Sequence, residues 1–217
     1  MAVFFIKIIL YIGNTKIFKM KNILLTLILL ITTASLAQKP KTPVKVTSTA
    51  LATFENLKAE IITEGGKQKL AILLNNAGKK ETIILKEITT QDKAQQPTNF
   101  KIKSFTIADI KLYHFSYTEN ILTETKLKKE NALITSNEIW ELSTTKLKIL
   151  GNIQTVSQIK EIQFLDKNKT ASQTVDKTRR EGFEFTLTKD YEVHLSTKNQ
   201  INKYKFNAIT RRYDPKK

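Results

Sequence analysis

The chain has 217 residues, of which 36 are basic and 20 acidic, and it contains no cysteine and only six glycines. The missing cysteines exclude disulfides, thiol nucleophiles, thiolate metal sites and a lipid anchor on a cysteine. The formal net charge of +16 suits anionic surroundings such as phospholipid headgroups or acidic polysaccharides, although most of the excess is lysine, which is common on solvated strand faces.

A secretory signal peptide is predicted near the N-terminus. Met20-Lys21-Asn22 forms a short basic head, residues 23–31 are apolar except for Thr26, and Ser35-Leu36-Ala37 places small residues before a cleavage point. We therefore predict an upstream extension over residues 1–19 that reflects start-codon choice, and a helical signal peptide over residues 20–37. A longer basic head on the same signal and an uncleaved membrane anchor are the alternatives.

Cleavage after Ala37 would leave an exported protein, periplasmic or secreted, that is not a lipoprotein and has no transmembrane span. Because residues 1–37 contain four lysines and no acidic residue, its net charge would be +12. Residues 38–47 contain two prolines and little apolar content, which predicts a flexible leader. The remaining residues 48–217 can bury a core without disulfides, so we predict one β-rich domain.

The first predicted strands form a meander. Residues 59–64, 67–74 and 81–88 are rich in isoleucine and leucine. Gly65-Gly66 supplies the positive φ angles of a tight hairpin turn, and residues 75–78 supply a slightly longer turn.

Two stretches in this region also fit a helix. Residues 47–57 contain Leu51, Phe54 and Leu57 at helical spacing. The second strand of the meander and the turn after it contain a second such set, Leu70, Leu73, Leu74 and Ala77. β-branched residues around the second set favour a strand there. For residues 47–57 both alternatives stay open, a short helix and a strand.

Short strands are predicted up to the C-terminus. Polar residues predict loops over 89–99 and 166–181, and turns over 188–190 and 198–200. Apolar or alternating segments predict strands over residues 100–102, 105–107, 110–117, 132–135, 139–142, 147–153, 162–164, 183–187, 191–195 and 204–208. We therefore predict an all-β fold of about ten to twelve short strands, as an antiparallel sandwich or a barrel-like sheet.

One group of candidate binding residues is aromatic. Tyr113, Phe115 and Tyr117 alternate along a predicted strand, so they lie on one face of it. If exposed, they would form a platform for stacking against sugars. The alternative, which we favour, is that they form the core face of the sheet.

The other candidate group is basic. The chain contains four arginines, which occur only as the pairs Arg179-Arg180 and Arg211-Arg212. A guanidinium binds phosphate or carboxylate through two parallel hydrogen bonds, which lysine cannot do. The two pairs would form one anion-binding cluster if the strand bearing Ala208 ended near Lys177. The alternative is a solvated loop and a solvated tail.

Metal and catalytic sites have little support. His114 and His194 are the only histidines, and with Glu192 they would bind zinc only if their strands were neighbours. Glu138 and Glu141 flank Trp140, but their spacing of three places them on opposite faces of a strand. We therefore predict no metal site, no cofactor and no catalytic residue.

These features favour a non-catalytic exported envelope protein that binds an anionic or amphipathic envelope component, either a lipid or a glycan. The alternatives are a periplasmic protein–protein adaptor that uses a free sheet edge, and a carboxylate-based hydrolase. We expect a monomer with no nucleic-acid partner. A deep apolar cavity would favour lipid binding, a closed core with a long uncovered edge would favour the adaptor, and converging carboxylates would favour the hydrolase.

Overall fold

The structure, a computed structural model, describes residues 48–76, 78–89, 93–144 and 146–216. The predicted extension, signal peptide and leader therefore lie outside the described residues. The described part contains 13 strands in three antiparallel sheets and one short 3₁₀ helix, Lys93–Gln95. This confirms the predicted all-β fold, in its sandwich form.

The first sheet is a meander in which each strand pairs with the next one in the chain. Gly65 and Gly66 connect its second and third strands with φ angles of +59° and +79°, as a tight hairpin requires. The predicted three-strand meander is confirmed, and one further strand precedes it. The strands are β1 (Ser48–Phe54), β2 (Leu57–Glu64), β3 (Lys67–Asn76) and β4 (Lys79–Ile88).

The helix alternatives in this region are wrong. β1 pairs with β2 and has a bulge between Ala50 and Ala52. A bulge inserts one residue and shifts the alternation of side chains by one position. Leu51 and Phe54 therefore both pack against the first core, although they are three residues apart. In β1 the helical spacing reflects this bulge.

The central sheet has five strands, and three of them are 14 to 18 residues long. Several segments that we predicted as separate short strands are therefore continuous. The strands are β5 (Thr98–Ile107), β6 (Ile110–Glu124), β7 (Lys128–Glu141), β8 (Leu147–Phe164) and β9 (Ser172–Gly182).

The predicted polar loop over residues 166–181 is mostly wrong. Only its first part is a loop, and Ser172–Gly182 forms the edge strand β9, which pairs with β8 over its whole length. All side chains of β9 except Val175 are exposed. An edge strand that buries neither face has no apolar alternation, so the sequence pattern resembled a loop.

The third sheet is a four-stranded meander at the C-terminus. Three of its strands and both predicted turns agree with the sequence, but the last strand was not predicted. Tyr213 of this last strand is buried, and its hydroxyl donates a hydrogen bond to the carbonyl oxygen of Tyr191 at 3.0 Å. The strands are β10 (Glu184–Leu187), β11 (Val193–Ser196), β12 (Ile201–Asn207) and β13 (Arg212–Pro215).

Two hydrophobic cores lie on opposite faces of the central sheet. In β6, Tyr113 and Phe115 contribute to the first core, with the first sheet, whereas Leu112 contributes to the second core, with the third sheet. Because side chains alternate along a strand, the central sheet is covered on both sides by the other two sheets. The packing is therefore that of a sandwich with three layers.

The central sheet continues beyond this covered region. Glu119 of β6 is almost buried and accepts two hydrogen bonds from Lys86 of β4, at 2.9 and 2.8 Å, which links the first sheet to the central sheet. Beyond Glu119, β6 continues for five residues with exposed side chains. That length corresponds to about 17 Å of strand.

Asp166 organises the loop between β8 and β9. Its carboxylate accepts hydrogen bonds from the Thr170 hydroxyl at 2.7 Å, the Thr170 amide at 3.0 Å and the Ala171 amide at 2.8 Å. These donors stabilise the ionised form and lower the pKa of Asp166 to about 2.

We expect the substitution Thr170→Ala to raise the pKa of Asp166 part of the way back, because the hydroxyl of Thr170 is its strongest hydrogen-bond donor. In the unsubstituted protein this depressed pKa stabilises the fold above about pH 4, and the contribution is lost as the pH falls to about 2. An NMR titration of the Asp166 carboxyl measures the shift. The control Thr174→Ala changes an exposed threonine of β9, and an equal pKa in all three proteins would contradict the assignment.

Candidate functional site

The aromatic candidates form part of the first core. Phe115 is fully buried, and Tyr113 and Tyr117 are 7% and 2% exposed. The rings of Tyr117 and Phe100 stack with their centroids 5.4 Å apart. Burial, together with nearby Glu138, raises the pKa of Tyr117. The stripe is therefore the core face of β6 and is not an exposed platform for sugars.

Arg179 and Arg180 lie on β9 and project to opposite sides of the central sheet. Arg179 pairs with Glu130 of β7 at 2.9 Å and with Glu181 at 3.3 Å, on the face of the first core. Arg180 lies opposite Val156 of β8, on the face of the second core. The adjacent arginines therefore do not act together.

The second arginine pair lies at the turn between β12 and β13. Arg211 has a φ of +53°, and its guanidinium lies 3.9 Å from the buried carboxylate of Glu141. Arg212 is exposed at the start of β13.

The register of the central sheet separates the two pairs. Arg180 pairs with Val156, and Val156 pairs with Leu133 of β7. Leu133 and the Glu141 that Arg211 contacts are eight residues apart on one strand, which is about 26 Å. The two pairs therefore do not meet in a single basic cluster.

The two histidines lie apart. His114 is on the second-core face of β6, where it hydrogen-bonds Asn137 at 3.0 Å and stacks against Phe185. Burial lowers the pKa of His114. His194 alternates with the core residue Val193 and therefore lies on the outer face of the third sheet. Among the described residues no group of three potential ligands is arranged to hold a metal ion.

The carboxylates around Trp140 diverge. Glu138 accepts a hydrogen bond from the Trp140 indole at 2.7 Å, on the face of the first core. Glu141 lies on the opposite face and is fully buried, and its carboxylate accepts a hydrogen bond from the amide of Thr144 at 2.8 Å. Because the two acids lie on opposite faces of β7, they do not flank a common substrate position.

An open cleft of about 700 Å³ lies where the third sheet meets the uncovered part of the central sheet. The register places Gln154 of β8 opposite Gly182 of β9, with Arg180 and Thr178 farther along the same face of β9. The turn between β11 and β12 supplies the facing wall, and its lining residues are Gln154, Thr178, Arg180, Gly182, Glu184, Ser196, Thr197, Lys198 and Asn199.

The electrostatics of the cleft favour an anion. Among the described residues, neither Arg180 nor Lys198 forms an ion pair, whereas Arg179 on the other face forms two. Glu184 is the one acid of the lining and stands at the start of β10. Hydroxyl and amide side chains make up most of the remaining wall, and they donate hydrogen bonds to oxyanions.

Of the two cations of this cleft, only Arg180 is predicted from the sequence as a binding residue. Arg180 was a candidate because arginine is rare in this chain. Lys198 lies in a predicted turn, and one lysine among many carries no local signal. Only the pairing of β8 with β9 and the position of the third sheet bring Lys198 and Arg180 into one cleft.

Among the described residues, the structure contains no helix with the length and apolar composition of a membrane span.

Comparisons with known proteins add no further evidence on function. No protein-family model, curated protein or solved structure matches the chain.

Proposed function

We propose that this protein is a non-catalytic, exported binding module that holds an anionic group of an envelope component in the cleft between Arg180 and Lys198. The observation that carries the proposal is that both cations line one polar cleft and lack an ion-pair partner among the described residues. Export rests on the predicted signal peptide at residues 20–37. The ligand chemistry is a phosphate or carboxylate oxyanion, from a lipid headgroup or an acidic glycan.

The two cations would contribute differently to binding. Arg180 offers a planar fork that can bond two oxygens of one anion, and its position on a long paired strand limits the movement of its backbone. Lys198, on the opposite turn, would act as a mobile point charge. Because the cleft is open to solvent, we expect binding to weaken as the salt concentration rises.

The packing of large side chains in the two cores argues against an acyl chain held between the sheets. The largest fully buried side chains, which include Phe115, Ile72 and Leu112, fill both interfaces of the central sheet. Densely packed interiors leave no room for a lipid tail without rearrangement. An exposed anionic group, rather than a buried tail, is therefore the part of the ligand that we propose is recognised.

The adaptor is the second candidate function. It is supported by the closed cores and by β9, an 11-residue edge strand that pairs with β8 alone among the described strands. Charged side chains on β9, such as Lys177 and Arg179, are of the kind that protect strand edges from pairing. An added partner strand would slow hydrogen exchange of the outward amides of β9, which anion binding does not predict.

The hydrolase has no such support, because Glu138 and Glu141 diverge.

We expect the charge reversals Arg180→Glu and Lys198→Glu to weaken anion binding about tenfold or more, because each removes a direct charge-assisted contact and adds a repulsive one. Isothermal titration with two probes measures this effect, one a short oligogalacturonate and the other a water-soluble short-chain phosphatidylglycerol. The probe that binds more tightly identifies the source of the oxyanion, a glycan carboxylate or a lipid phosphate.

Arg212→Glu is the matched control, because it makes the same change in charge on an exposed residue of β13. We expect it to reduce affinity only slightly, through the net charge of the protein. If Arg180→Glu and Arg212→Glu lowered the affinity for the probe equally, the effect would come from the net charge of the protein. The cleft would then not be the binding site. Failure of both probes to bind would also overturn the proposal.

A further inference from the structure

The far end of the central sheet exposes a group of large apolar side chains. We call this end the loop tip, and it consists of the turn at residues 125–127, the loop at residues 165–171, and the last apolar residues of β8. Its exposed apolar residues, with the exposed fraction of each, are Leu127 (45%), Ile162 (38%), Phe164 (39%) and Leu165 (62%).

Backbone hydrogen bonds hold these residues together. The amide of Ile162 donates to the carbonyl oxygen of Leu127 at 2.8 Å, so the β6–β7 turn lies beside β8. The amide of Leu165 donates to the carbonyl oxygen of Ala171 at 2.9 Å, which closes the second loop. The end of β8 and the two loops beside it therefore bring these apolar residues together, although about 35 residues separate Leu127 from Ile162 in the sequence.

The tip also carries three lysines on the same two loops. Lys126, Lys167 and Lys169 are exposed and have no ion pair among the described residues. The ammonium of Lys169 lies 5.5 Å from the centre of the Phe164 ring. The nearby acids are occupied, since Glu124 pairs with Lys129, and the carboxylate of Asp166 accepts hydrogen bonds within its own loop. The tip therefore presents free positive charge beside exposed apolar side chains.

An apolar patch on loops that also carry unpaired lysines is complementary to an anionic phospholipid surface. Apolar side chains at loop ends can enter the boundary between headgroups and acyl chains, while lysine ammonium groups stay at the level of the phosphates. Each lysine near such a surface adds attraction that falls off within a Debye length. A protein partner with a flat apolar face would leave these lysines without a counter-charge.

We propose that the loop tip docks the protein onto an anionic phospholipid membrane surface, with Leu127, Phe164 and Leu165 inserted at the interface. The position of the tip suits this role, because the side chains of β6 that lead to it, beyond Glu119, are exposed. The site is separate from the cleft at Arg180, and the proposal does not depend on what the cleft binds.

Vesicle co-sedimentation of the purified protein tests the proposal. The unsubstituted protein is expected to sediment with vesicles that contain phosphatidylglycerol and to stay in solution with vesicles of phosphatidylcholine alone. The double variant Leu127→Ser/Leu165→Ser is expected to lose about tenfold or more in partitioning, because each leucine loses its transfer into lipid. The triple variant Lys126→Glu/Lys167→Glu/Lys169→Glu is expected to lose binding to the anionic vesicles.

Two controls separate the tip from the rest of the surface. Ile209→Ser changes the most exposed large apolar residue of the described part of the chain, 95% exposed in the β12–β13 turn, and is expected to leave vesicle binding unchanged. Arg180→Glu alters the cleft and is expected to reduce vesicle binding less than the tip variants do.

Three results would overturn the proposal. The first is full vesicle binding by the tip variants, and the second is equal binding of the unsubstituted protein to neutral and anionic vesicles. The third is a dimer in analytical ultracentrifugation that the double leucine variant converts to a monomer, because a second copy would then be the occupant of the tip. Circular dichroism of each variant checks that the sheets are retained.

Discussion

The substitution Phe115→Ala is expected to destabilise the protein by about 3–5 kcal/mol, the range for removal of a fully buried aromatic ring. Phe115 has no exposed surface and lies at the centre of the first core, with its ring 6.0 Å from that of Phe100. β6 is covered on both faces there, so neighbours have little freedom to close the cavity. Urea unfolding, followed by the fluorescence of the single tryptophan, Trp140, measures the change.

A matched control is available on the same sheet. Phe164 of β8 is 39% exposed, and Phe164→Ala is expected to cost about 1 kcal/mol or less. A substitution that keeps more volume, Phe115→Leu, is expected to fall between the two and gives a folded variant if Phe115→Ala does not fold. If Phe115→Ala and Phe164→Ala were equally stable, Phe115 would not be a core residue.

The aromatic stripe illustrates what the sequence could predict. Alternation of Tyr113, Phe115 and Tyr117 correctly indicated a strand with one aromatic face. It did not indicate that a separate sheet packs on each face of this strand, because Leu112 and His114 on the other face differ in polarity. Burial on both sides depends on the position of residues more than 60 positions away, such as Phe185, which contacts His114.

The edge strand β9 illustrates the opposite failure. Its polar sequence gives no periodic signal, and it is a strand only because β8 offers a complete row of backbone partners. Because a loop was predicted there, the sequence did not predict that Arg179 and Arg180 project to opposite faces of the central sheet. Local sequence specified the residue types of the cleft and of the loop tip, whereas strand register determines which of those residues meet.

The second large effect is expected at Gly182, which ends β9 and lines the cleft. Its φ is +78°, a conformation that costs a residue with a side chain about 1–2 kcal/mol. An added Cβ would also overlap the carbonyl oxygen of Ile153 and lie 3.3 Å from the Cα of Gln154. Both neighbours are backbone, so no change of rotamer relieves the overlap and the β9–β10 junction has to move.

We therefore expect Gly182→Ala to destabilise the protein by about 3 kcal/mol or more, in the range of a strained backbone combined with steric overlap. Gly65→Ala measures the cost of the positive φ alone, because Gly65 has a φ of +59° but nothing lies within 4 Å of an added Cβ. Gly151→Ala is expected to be neutral or slightly stabilising, since its nearest neighbour is the flexible side chain of Lys148 at 3.6 Å. Equal urea midpoints for Gly182→Ala and Gly65→Ala would show that the overlap with β8 contributes nothing, and the close approach of β8 and β9 beside the cleft would then not depend on glycine.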